Sequence, residues 1–484
     1  MMDFKQLITG YTSKISNVIP QKLTSRTSSI LRWTAIGIAI RFLLMPILAG
    51  PDFMTTLWIS FTLVKNNQLI FSNDPPAIFF LLSGFYNLML AFFPSGFFNF
   101  ITSGTTVTPP SFQLFALLQP GINTVLFISK IPFLLFDVLS AFLILHLFSD
   151  ETKAFTAFKI WLINPVVLVV SYVHGQFDIV PVFFIILALY FLKKKRFGWT
   201  MLTIGFGGVF KIISLALLPL IAISAWKALE GETQKTRLFK ISRILVLGLL
   251  PLLSIPAILI SVTQYYESVN FVLPLGSMFN GFFGKTFYTR GIIGQPFYSG
   301  LLTFLLDFSI SLRTQSLIPD FVYFIPFVYT LLLLGAIYER KLPFEEVCKY
   351  FTVFLLAYYA FSLFHSQWFL WIQPFLILLV VENRRIYGKL FALLMPLYFL
   401  YTLQWDAALT ARLLTPMIPQ ALFWPGPITV MNNIGLPAFQ IISLFRTVFS
   451  AICVSIIFYI VKTSFWVRER KESELDGDLQ MSRS

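Results

Sequence analysis

Ionisable side chains are what this sequence has least of. Only 12% of its 484 residues are charged, against 57% hydrophobic, a balance that no soluble domain of this length needs and that places the chain among polytopic membrane proteins. Histidine occurs three times and cysteine twice. Cys348 and Cys453 form no CxxC pair and fall in separate apolar stretches, so neither a disulfide framework nor a zinc site is indicated. Also missing is the alternation of polarity over about ten residues that marks a membrane β-barrel. The unbroken apolar runs are therefore read as helices, which satisfy their own backbone inside lipid. No Asn-x-Ser/Thr triplet with a non-proline centre is present, which favours a prokaryotic cell membrane over the endoplasmic reticulum. The polar first thirty residues lead into an apolar run without a small-residue cleavage site, so no removable signal peptide is read.

The formal charge of +14 carries no aromatic interleaving or module signature, which excludes a nucleic-acid partner. It marks cytoplasmic loops instead, and these set the topology. Residues 1–30 are placed inside as a cytoplasmic segment, and a membrane domain follows over 31–463. The clusters Asp150 to Lys153, Lys193 to Arg196, Lys227 to Arg243, Glu339 to Lys349 and Glu382 to Arg385 are placed inside, with a cytoplasmic tail over 464–484. Regions 51–120 and 263–318 are placed outside. The expected fold is an all-α polytopic membrane protein of about twelve spans, with both termini cytoplasmic. The long first external loop is expected to carry surface-lying helices, with Ala77 to Phe93 either lying on the surface or crossing.

On this threading the outer side receives most of the polar residues that interrupt apolar sequence. WLINPVVLVVSYVHGQFD runs into His174, Gln176 and Asp178, and FHSQWFLWIQPF carries His365 and Gln367. Asp52 follows the first span, Lys211 sits at the tip of a hairpin beside Gly207 and Gly208, and Asp406 opens outward too. Side chains of this kind near lipid are expected to face a protein interior or a wet cavity. Arg41, Lys130 and Asp137 lie within spans, and an Arg41–Asp137 pair is the favoured account of two of them.

Together these residues resemble the polytopic GT-C glycosyltransferases. The likeness is nearest to the mannosyltransferase-like branch that takes sugar from a polyprenyl (dolichyl-type) phosphate. It rests on the acid after span one in Gly50-Pro51-Asp52, on NP followed by HGQFD, on GGVFK and on HSQWFLWIQPF. It also rests on Lys130, Pro132 and Asp137 in SKIPFLLFDVLSAFL. SNDPPAIFF resembles the tyrosine-proline-proline motif of the first loop without its tyrosine. Asp52 stands alone, with no paired Asp-x-Asp, which leaves use of a divalent metal in doubt; no protein metal site is assigned and no other cofactor is expected.

The resemblance implies transfer of a hexose, foremost mannose, from a polyprenyl-phosphate donor to a lipid-linked or cell-surface glycan. Such a donor is already activated, so the protein must hold the reactants in line, remove a proton and stabilise a departing phosphate. Asp52 is the first choice of base and Asp178 the second. Lys211, His365, His174, Gln176, Gln367 and Lys130 are assigned to the donor phosphate and substrate, with Arg290 and Arg412 held in reserve. Trp368 and Trp371 are read as stacking on sugar or isoprenoid. The competing reading is a flippase or transporter of lipid-linked sugars, which would place its charges at the midplane and often shows repeated halves. No repeat is evident here.

Overall fold

A computed structural model describes residues 21–66, 75–94, 116–254, 309–312 and 320–463. Arg290 and most of the region 263–318 lie outside them, as do most of residues 1–30 and all of 464–484, the segments expected to be cytoplasmic. In chain order the principal helices begin with α1 (Gln21–Leu44), α2 (Pro51–Asn66) and α3 (Pro76–Leu88). They continue with α4 (Ile122–Ser129), α5 (Ile131–Leu145), α6 (Glu151–Leu162) and α7 (Pro165–Leu168), the last running into a π-helical turn, Val169–Val173. Next come α8 (Ile179–Lys193), α9 (Phe197–Phe210), α10 (Leu218–Ala228) and α11 (Gln234–Leu249). The series closes with α12 (Phe324–Tyr338), α13 (Phe344–Phe361), α14 (Gln373–Glu382), α15 (Tyr387–Thr402), α16 (Pro427–Asn433) and α17 (Ala438–Val461). One antiparallel ribbon departs from the all-α expectation: β1 (Ser309–Leu312) faces β2 (Asp320–Tyr323), with Ser309 opposite Tyr323.

Proline and short polar side chains decide where several helices start. Pro51, Pro76 and Pro165 each stand at the first helical position, where a missing N–H costs nothing. Asp150 caps α6 by accepting from the Lys153 N–H at 2.9 Å. Asn164 caps α7, accepting from Val166 N at 2.9 Å, so the NP pair is a helix start. Its amide also donates to Gln373 Oε1 at 3.0 Å, which ties this start to that of α14.

Among the described residues four stretches are long and apolar enough to cross a membrane: Arg26–Leu44, Ile122–Leu145, Glu151–Val173 and Ala438–Val461. Others are shorter. The 15 residues of α8 extend about 22 Å at 1.5 Å per residue, less than a hydrocarbon core of ~30 Å. Glycine lets these short helices pack closely: a Cβ on Gly205 of α9 would lie 2.1 Å from the Gly248 carbonyl oxygen of α11.

Contacts between connecting segments sort into two sets. At the basic end Arg26 pairs with Glu151, Lys193 Nζ donates to Leu147 O at 2.7 Å and Lys349 lies 4.0 Å from Glu382. At the other end Asn123 Nδ2 donates to Pro46 O at 2.8 Å and Tyr401 to Phe364 O at 3.2 Å. Within residues 51–120 α3 packs on α2, with Ser83 donating to Ser60 O at 2.9 Å and Phe61 stacked on Tyr86.

Between the two ends lies a buried polar knot. Arg41 Nε donates to Asp137 Oδ2 at 2.6 Å, as the paired reading of these two residues anticipates. Tyr172 donates to the same oxygen at 2.7 Å, and Trp161 Nε1 to Asp137 Oδ1 at 2.8 Å. The carboxylate thus accepts from three donors on three helical segments, the arrangement a fully buried ion pair requires.

Candidate functional site

The HGQFD turn is built by the π-helical turn that precedes it. His174 N donates to Val169 O at 2.7 Å and Gln176 N to Val170 O at 2.9 Å. Gly175 then reverses the chain at φ +76°, a left-handed conformation that a Cβ disfavours. His174, Gln176 and Asp178 are all buried. Burial, reinforced by the nearby Lys130 charge, pushes the His174 imidazole down to about 4, so the ring is neutral at physiological pH. Its Nδ1 has no hydrogen-bond partner among the described residues.

Three other segments meet this turn. The first loop does so through its backbone, Gly50 N donating to His174 O at 3.0 Å. A Cβ on Gly50 would stand 2.9 Å from that oxygen, and one on Gly175 would stand 2.6 Å from the Phe53 ring. Asp52, between Gly50 and Phe53, is exposed in the first turn of α2. The HSQWFLW segment arrives through Trp371, whose Nε1 donates to Asp178 Oδ1 at 2.8 Å. Trp368 stacks on Trp371, with ring centroids 5.4 Å apart, and His365 lies against Trp368 and Trp405. The GGVFK tip arrives through Lys211, its ammonium 4.8 Å from the centre of the Phe177 ring. Gly207 and Gly208 let the hairpin close, because a Cβ on either would meet Ser214 or Leu215 within 2.8 Å.

Lys130 is placed differently from its sequence-based assignment to the donor phosphate. Its side chain is buried, and Nζ donates to Met45 O at 3.0 Å, to Tyr172 O at 2.8 Å and to Leu48 O. An ammonium has three N–H groups, and three carbonyls take them. Lys130 therefore anchors the loop that leads to Asp52, and the phosphate assignment gives way to this one. Asp406 is likewise turned from an open outer position to a structural one. Its carboxylate accepts from Ile428 N at 2.9 Å and from the Thr429 hydroxyl at 2.9 Å, capping α16 from a residue at φ +49°. Among the described residues the hydrogen bond shown for Gln367 is a long one at 3.5 Å, accepted from its neighbour Ser366.

Arg412, held in reserve on sequence grounds, is drawn toward the site by its neighbours. Ala49 N donates to Leu413 O at 3.4 Å, which joins the Arg412 segment to the loop before Asp52. Arg412 Nε is buried and has no hydrogen-bond partner among the described residues. Nothing in the sequence near Arg412 signals this; the contact depends on a loop more than three hundred residues away. Among the described residues no group of three or more His, Cys, Asp or Glu side chains is arranged to hold a metal ion.

Over 256 residues the chain is 27% identical to GPI mannosyltransferase 1 of the yeast Kluyveromyces lactis. The match covers 51% of this chain and 59% of that protein, so the chain spans little more than half the length of the relative. The relative comes from a yeast and lends no support to the prokaryotic membrane expected from the missing acceptor triplets. No family model matches the chain, and no solved structure does.

Proposed function

We propose that the chain is an integral-membrane glycosyltransferase that moves a hexose, mannose in the first place, from a polyprenyl-phosphate carrier to a glycan or glycolipid acceptor at the outer end of the bundle. The observation that carries the reading is the meeting of three segments on the HGQFD turn: the Asp52 loop, the Lys211 hairpin tip and the tryptophans beside His365. The similarity to GPI mannosyltransferase 1 supports the choice of sugar. The twelve-span arrangement and the GT-C relationship belong to the same proposal.

In this reading an acceptor hydroxyl oxygen attacks the anomeric carbon as the bond from that carbon to the phosphate oxygen breaks. The hydroxyl proton passes to Asp52, and the bonding pair leaves with the phosphate. Exposure suits Asp52 to an acceptor arriving from water. Burial and the Trp371 bond suit Asp178 to holding the site together, so the two carboxylates divide the work. Lys211, His365 and Arg412 are the donors assigned to the leaving phosphate, where fixed positive charge in a low-dielectric site is most effective. Trp368, stacked on the buried Trp371, offers a ring face to the sugar or the first isoprene units.

The test is transfer by purified protein in lipid nanodiscs, with synthetic polyprenyl-phosphate mannose and a panel of glycolipid acceptors that includes GPI precursors. Mannosylated product that depends on Asp52 is expected. Transfer from a nucleotide sugar without lipid carrier would reject the donor class. Movement of lipid-linked sugar across vesicles without transfer would favour the transporter.

A further inference from the structure

At the basic end of the bundle, opposite to the HGQFD turn, α10, α11 and α12 leave a cavity of about 500 Å³. Trp226 and Lys227 of α10, Arg237 of α11 and Ile337 of α12 line it, with Glu230 and Arg340 from the connecting segments. Three cationic side chains face one carboxylate, and Ala222 and Ile223 add an apolar wall. None of these residues takes part in the proposed transfer.

The cationic groups are held in place with donors to spare. The Arg237 guanidinium lies over the Trp226 indole at 4.2 Å, and its Nη2 donates to Trp226 O at 2.7 Å. Its Nε is buried and has no hydrogen-bond partner among the described residues. Lys227 Nζ donates to Ile337 O at 2.9 Å, which uses one of its three N–H groups. Arg340 is exposed at the rim. A guanidinium held over an aromatic ring, with two further cations and a single carboxylate around the same cavity, fits a phosphate better than it fits a carboxylate partner already in the protein.

We propose that this cavity is a binding site for a phosphate ester anion, recognised by Arg237, Lys227 and Arg340. Its position favours the headgroup of an anionic phospholipid. The basic loops of a multi-pass protein face the leaflet that carries anionic lipid, and the apolar wall of Ala222, Ile223 and Ile337 can receive the start of an acyl chain. A free phosphate would use the same donors without that wall.

The full-length protein, purified in detergent, tests this by native mass spectrometry with phosphatidic acid and phosphatidylcholine of matched chains. The wild type is expected to retain phosphatidic acid preferentially. Arg237→Gln and Arg340→Glu should each weaken retention by about tenfold or more, the scale of losing one charge-assisted contact. Arg340 is exposed, so its variant is expected to melt with the wild type and separates binding from folding should Arg237→Gln be unstable. Millimolar inorganic phosphate distinguishes the source. Displacement of the lipid would support a site for phosphate itself, and resistance to displacement would support a lipid site. Equal retention of the two lipids, or undiminished retention by both variants, would overturn the proposal.

Discussion

Trp371 Nε1 donates to Asp178 Oδ1 at 2.8 Å across 193 residues of sequence. Both side chains are buried, and the bond joins the two segments that sequence singles out by their histidines. Trp371→Phe keeps the ring packing against Trp368 and removes the donor. The expected cost is about 1–3 kcal/mol of stability, from a buried carboxylate that loses a partner. Unfolding in detergent followed by tryptophan-independent circular dichroism checks it, and an unchanged melting temperature would detach Asp178 from this structural role.

Asp52→Asn preserves shape and removes basicity at an exposed position, so insertion and thermal stability should match the wild type. Transfer should fall by about 10²–10⁴-fold, the usual contribution of a general base. Asp178→Asn serves as the comparison, and there a loss of stability is expected alongside any loss of rate. If Asp52→Asn transfers mannose at the wild-type rate, the base assignment is wrong.

Lys130→Met separates anchoring from phosphate binding. Removing the ammonium leaves three buried carbonyls without their donor, each at a cost of about 1–3 kcal/mol. A large drop in melting temperature is therefore expected, together with loss of activity. A phosphate ligand would behave differently, raising the KM for the lipid donor at unchanged stability.

Arg412→Ala should lower the rate of transfer by roughly 10²-fold if its guanidinium meets the leaving phosphate, with little change in stability because its Nε gives up no bond. Lys211→Ala is expected to act in the same direction. Wild-type kcat/KM in either variant would remove that residue from the site.

The pH dependence follows from His174. Its folded value, about 4, lies below the ordinary 6.5 because of burial, so the unfolded chain binds the proton more readily than the folded one. The sign is therefore a loss of stability as pH falls from about 6.5 toward 4, with no contribution from this residue above that window. A shallower decline of melting temperature between pH 6.5 and 4 in His174→Gln than in wild type is the outcome expected from denaturation in detergent. An identical slope would show that His174 is not the group responsible.

Composition alone determined that this chain is a helical membrane protein, and the charge pattern set which connecting segments are expected to share an end of the bundle. Those properties are local, since a run of apolar residues must satisfy its own backbone in lipid and basic clusters sort by side. The Arg41–Asp137 pair was also readable, because two opposite charges in lipid leave few alternatives to meeting. Other roles were decided by partners far away in sequence. Lys130 and Lys211 look alike as lone lysines near apolar runs, yet one spends its three N–H groups on backbone carbonyls and the other lies over Phe177. Asp52, Asp178 and Asp406 look alike as outward carboxylates, yet only the tertiary structure leaves the first exposed, buries the second against Trp371 and turns the third into a helix cap. A side chain's hydrogen-bonding capacity is written in its type, but what consumes that capacity depends on which distant backbone and side-chain groups the packed helices bring within 3 Å of it.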